Sequence, residues 1–214
     1  MDDNETLHET SSGRKTGRRG WFGPIMAVLF VLSMIVNVYL LTLVLQDDRD
    51  RREAEGHQIA ADLNAASVSL ASAARTLDRL AIAQGDNRVR VKVELEADLS
   101  AGLPAVARLI GSAAAKPAGS HVKATEADAL AALQAAYAKL RGLGAHTEPL
   151  TEAELRELDG LRMLLDRLAS SADAVHVPAE LTDMAAMQLL AGRRWIEAAA
   201  EAAQALKDWA ASGP

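Results

Sequence analysis

The sequence predicts an all-α protein: an N-terminal single transmembrane helix followed by an antiparallel helical bundle of four to five amphipathic helices. Three observations carry that prediction. A run of 25 uncharged, mostly aliphatic residues stands near the N-terminus, from Trp21 to Leu45. Leucines and alanines then recur at spacings of three and four through most of the remaining chain. Two Thr-x-x-acid motifs, Thr125 with Asp128 and Thr151 with Glu154, mark helix starts.

The apolar run comes first. As a helix it is about 37 Å long, enough to cross a hydrocarbon core of about 30 Å with some tilt. A secretory signal has a shorter apolar region, about 7–15 residues, and a small-residue cleavage site after it. Here "LTLVLQDDRD" offers no such site, and the chain has no cysteine for lipoprotein processing. The expectation is an uncleaved anchor over 21–45. Trp21 and Phe22 suit a membrane interface. Pro24 suits a first helical turn. Asn37 is an amide at mid-depth; in lipid it bonds either its own backbone or a group on another helix.

The flanks set the orientation. Arg14, Lys15, Arg18 and Arg19 precede the run, and Arg49, Arg51 and Arg52 follow it. Basic residues favour the cytoplasmic side, and a long downstream domain translocates largely regardless of charge. The N-terminus is therefore expected in the cytoplasm and the C-terminal domain outside, in a single-pass arrangement in the cell membrane.

Composition narrows the function. The net charge of −6 falls on the part after the run, where 19 basic face 25 acidic residues. That balance argues against nucleic acid, which requires a concentrated basic surface. Only Tyr137, Trp195 and Trp209 are aromatic beyond residue 45. An apolar content made mainly of Ala and Leu favours helices over a compact enzyme core.

Residues 1–20 are polar and aperiodic and read as a disordered tail. Residues 46–58 read as a charged helical stalk, and 59–211 as the bundle. Ile59, Leu63, Ala66, Leu70, Ala73, Leu77 and Leu80 form a strict heptad seam, a packing face for a neighbour in this chain or another. Asp62 and Arg79 are expected to lie off it. "QGDNR" is a turn. "VRVKVEL" alternates as a strand would, but an isolated strand has nothing to pair with. Leu95, Leu99, Leu103, Val106 and Ile110 continue at helical spacing, so 88–113 is expected to be a helix, bent near Pro104.

After a loop at 115–124, Thr125 opens a helix with Leu130, Leu133, Tyr137 and Leu140 on its apolar stripe. Thr151 opens another with Leu155, Leu158, Leu161, Leu165 and Leu168. A last helical region is expected from Pro178, interrupted at Gly192, with Trp195, Ala199, Ala202, Leu206 and Trp209 on one face. Short connections between such helices make antiparallel neighbours.

Catalytic signatures are absent. There is no cysteine, phosphate-binding glycine loop, zinc-protease helix, nucleophile elbow or calcium loop. Glu53 and His57, or His176 and Glu180, could share a helix face, but such pairs are mostly surface ion pairs. The acids of the fourth helical segment interleave with Arg156, Arg162 and Arg167 as a solvated face does. "GRRW" is the most distinctive short stretch. Arg193 and Arg194 could hold an anionic group and Trp195 could stack on a ligand or partner; the plainer alternative is a helix joint with Trp195 in the core.

No catalytic, metal or cofactor site is expected. The reading is a non-enzymatic binding, tethering or scaffold module for another cell-envelope protein, or one that self-associates. The alternative is an extracytoplasmic small-molecule sensor with a pocket between helices. The architecture is similar to the extracytoplasmic bundles of bacterial sensors and chemoreceptors, in shape alone.

Overall fold

The computed structural model describes residues 22–143, 149–178 and 180–212. They form α1 (Phe22–Ile82), α2 (Asp86–Ala114), α3 (Glu126–Gly142), α4 (Glu152–Asp173), α5 (Asp183–Ala191) and α6 (Arg194–Ala211), with a short 3-10 turn at Pro117–Gly119. No strand occurs among the described residues, and the all-α class read from the sequence holds. The expected tail over 1–20, Trp21 and His146 lie outside the described residues.

The chain divides into two compact units, one ending at Arg49 and one beginning at Asp50. In the first, α1 is exposed at every described position. It is the one helix among the described residues long and apolar enough to cross a membrane. The Thr42 hydroxyl donates to the Val38 carbonyl at 2.8 Å, the usual way a helical hydroxyl is satisfied.

In the second unit the heptad seam is a packing face within the chain. All seven seam residues from Ile59 to Leu80 are at most 2% exposed. Two ion pairs fix how α2 lies along α1, Asp62 with Arg108 and Arg79 with Glu94, and Glu55 with Lys116, just past the end of α2, continues the series. Numbers rise on one helix as they fall on the other, so the two are antiparallel. Asp78 pairs with Arg162, and Leu63 lines one small void with Leu168 and Ala172, which sets α4 antiparallel to α1. Glu96 with Arg141, and Gly111 against Glu126, set α3 antiparallel to α2. Packed against these, α6 lines the core with Ala198, Ala199 and Ala202.

The turn between α1 and α2 depends on Gly85, at φ 54°, where a side chain would be strained. Buried Arg88 closes it, its Nε donating to the Ala83 carbonyl at 3.1 Å. The alternating "VRVKVEL" is helical: Val91 and Leu95 are buried, while Val89 and Val93 are 64% and 61% exposed. Pro104 lies inside α2. Both expected capping boxes form, Thr125 with Asp128 and Thr151 with Glu154, each bonded in both directions.

Three details differ from the sequence expectation. The last helical region does not start at Pro178. Pro178 is in non-helical chain, and α5 begins after Thr182, whose hydroxyl accepts the Ala185 N–H at 3.3 Å. A hydroxyl supplies the acceptor that an N-cap needs, and a proline side chain does not. At nine residues, α5 is also shorter than any helix the spacing implied. Asp62 lies off the seam as expected, but it is buried, at 4% exposed. Its carboxylate is held by the Arg108 guanidinium at 2.6–3.2 Å and by the Gln58 amide at 3.1 Å.

The bundle engages α1 ahead of the seam. A Cβ at Gly56 would lie 2.2 Å from the Ala186 carbonyl oxygen, so only glycine lets α5 approach there. One residue on, His57 Nε2 meets Asp183 Oδ1 at 3.1 Å.

Candidate functional site

The joint "GRRW" sits where α5 gives way to α6. Gly192 ends α5 in an extended conformation, and its N–H bonds the Gln188 and Leu189 carbonyls. Arg193 then caps α6 without a side-chain bond. Trp195 is 1% exposed, and its indole N–H donates to the Leu190 carbonyl at 3.2 Å. That carbonyl belongs to the last turn of α5 and has no helical donor of its own. The indole thus latches α5 to the start of α6, and its faces are packed among core residues rather than open to a ligand. Arg193 and Arg194 are exposed and form no ion pair among the described residues. Neither lines any of the grooves described below, so the three residues do not converge on a pocket.

The bundle interior is filled. The void where α1, α2, α4 and α6 meet measures about 10 Å³, at the lower limit for holding a water molecule. No buried side-chain nitrogen or oxygen lacks a hydrogen-bond partner among the described residues. No three His, Asp or Glu side chains come together there as a metal site.

The larger concavities lie at the surface. A cleft of about 250 Å³ lies between α2 and α3, with Leu99, Leu103, Pro104, Leu130 and Leu133 along it. Pro104 has no N–H, so the Ser100 carbonyl one turn back lacks its helical donor there. One end carries Glu96 and Tyr137, with Arg141 3.6 Å from Glu96 and 6.0 Å above the Tyr137 ring. Partial burial, and then the Glu96 carboxylate, push the Tyr137 hydroxyl above the usual phenol range, so it stays a donor. Two larger open grooves, of about 490 and 480 Å³, flank α6 and are lined by mixed charges and alanines.

The sequence reading treated Tyr137 only as part of an apolar stripe, and Glu96 is 41 residues away from it. Nothing in the local pattern joins them. The other surface feature it missed is the pair Val89 and Val93. They stand four apart on the outer face of α2, beyond Ile82, which is 82% exposed. Their regular alternation with Val91 was the available signal, read there for its period rather than for its exposed half.

Comparison with protein-family models, curated proteins and solved structures gives no match for this chain.

Proposed function

We propose that this protein is a single-pass membrane-anchored tether. Helix α1 is anchored in the cell membrane by its apolar part, the N-terminus is cytoplasmic, and the bundle stands outside as a non-enzymatic docking module for another cell-envelope protein. The observation that carries this reading is the filled interior combined with exposed valines on α2. A bundle with a dry core has its outer surface to work with. Singly exposed apolar residues are ordinary, but Val89 and Val93 share a face and can seat a partner's apolar side chain.

The test is photo-crosslinking in intact membranes, with the reactive group placed at Val89 and, as control, at Val68 on α1. The tether reading expects one discrete adduct with another envelope protein from Val89, lost in Val93→Asp. Absence of an adduct in membranes where the protein is present counts against it. Protease added to spheroplasts should digest residues 50–212; resistance until lysis would reverse the orientation. Mass spectrometry of the purified chain checks the anchor, since a new N-terminus between residues 40 and 60 would mean cleavage.

The α2–α3 cleft favours a second reading, a small-molecule sensor. Its lining is apolar with hydrogen-bonding groups at one end, as in many ligand sites. Leu103→Trp would fill the cleft. Loss of a ligand-induced thermal shift in that variant, with Val93→Asp silent, would favour the sensor over the tether.

A further inference from the structure

The apolar part of α1 carries a feature that a plain anchor does not need. Asn37 stands near the middle of the uncharged run, with Ser33 one turn earlier on the same face. Thr42 satisfies its hydroxyl on its own backbone, but neither Asn37 nor Ser33 has a side-chain partner among the described residues. The surrounding stretch is wholly exposed. An amide in hydrocarbon without a partner is costly, and bonding across helices is the usual remedy. The neighbouring residues are arranged for it. Met26, Phe30, Ser33, Asn37, Leu40 and Val44 follow at spacings of 4, 3, 4, 3 and 4, a heptad stripe with one strongly polar position. In parallel helix pairs a single Asn at such a position sets register and partner number.

We propose that two copies of this chain pair in parallel through this stripe, with the Asn37 carboxamides bonded to each other across the twofold axis. This rests on the membrane anchor proposed above. The occupant is a second copy because a carboxamide is both donor and acceptor, hence complementary to itself. A second copy inserted the same way brings the identical amide to the identical depth, whereas an unrelated helix has to carry a matching group there. The small residue Ser33, one turn from Asn37, lets the helices approach near mid-span.

The chain has no cysteine, so single introduced cysteines report unambiguously. Full-length protein is made with Phe30→Cys or Val44→Cys on the stripe, and Val28→Cys or Ile35→Cys on the opposite face, then oxidised in native membranes. The expected result is a disulfide homodimer from the stripe positions and not from the others. In the Phe30→Cys background Asn37→Leu should weaken pairing by about 3- to 30-fold, and Asn37→Gln should restore most of it. Equal crosslinking around the helix, an unchanged yield in Asn37→Leu, or an adduct containing a different protein overturns the proposal. Alkaline carbonate extraction separates the two readings. A chain that stays in the membrane but does not pair sinks the dimer alone, and one that is washed out sinks the anchor and the dimer with it.

Discussion

Asp62 on α1 is almost wholly buried, and Arg108 on α2 reaches it with both Nε and a terminal nitrogen while keeping nearly half of its own side chain in solvent. The pair is therefore asymmetric, and the two single substitutions should differ. Arg108→Ala strands a carboxylate in the core with only Gln58 beside it. It should cost about 3 kcal/mol, the low end for breaking a buried pair. Asp62→Ala leaves a guanidinium that can turn to water and should cost about 1–2 kcal/mol. Arg79→Ala, which breaks the half-exposed bond to Glu94, should cost less than about 1 kcal/mol. Urea unfolding of residues 50–214 checks the order; equal costs for Arg108→Ala and Arg79→Ala would contradict it.

The seam should dominate stability. Leu70 and Leu77 are fully buried, and truncating a core leucine costs about 2–5 kcal/mol. Domains are stable by only about 5–15 kcal/mol. Leu70→Ala with Leu77→Ala should unfold or nearly unfold the same fragment by circular dichroism. Because the seam is covered within the chain, the wild-type melting temperature of this fragment should not rise with protein concentration.

Two glycines should respond to alanine in opposite directions. At Gly56 a methyl group collides with the rigid Ala186 backbone, so Gly56→Ala should cost about 1–3 kcal/mol. At Gly160, inside α4, an added Cβ meets nothing within 4 Å, so Gly160→Ala should stabilise by about 0.5–1 kcal/mol. Melting temperatures that move the same way would refute the contrast.

Acid should fray the start of α3. The Thr125 hydroxyl and then the Thr125 N–H hold the Asp128 carboxyl below its ordinary value of 3.8. A depressed carboxyl stabilises the fold above its unfolded pKa, and that contribution disappears as the pH falls through the lower, folded value. The first turn of α3 should stay intact to about pH 4 and loosen below it. NMR titration should place Asp128 below a free aspartate, and Thr125→Val should move it up; no movement would mean the capping box does not set it.

What the sequence revealed depended on how far apart the interacting groups lie. The seam was legible because its period is local and its members are apolar. The capping boxes were legible because three residues suffice to define them. "VRVKVEL" was ambiguous for a specific reason: residues four apart share a face in a strand and nearly so in a helix. Val91 with Leu95, and Val89 with Val93, satisfy both periods, and packing decides between them. Asp62 was illegible because its partner is 46 residues away, and an aspartate in an amphipathic helix ordinarily faces water. The Gly56 approach and the Glu96–Tyr137 end of the cleft were hidden likewise. At "GRRW" the sequence marked a distinctive joint, but which side of it is buried follows from the orphan Leu190 carbonyl.

The antiparallel register of α1 and α2 has a mechanical consequence. Tension entering the domain through residue 50 runs along α1, parallel to its interface with α2. The pairs Glu55–Lys116, Asp62–Arg108 and Arg79–Glu94 are then strained together, in shear, and the seam leucines must slide past their sockets in one step. Resistance to force is a matter of unfolding rate rather than of equilibrium stability. A load applied along α1 from residue 50 would therefore meet these pairs and the seam together rather than in sequence.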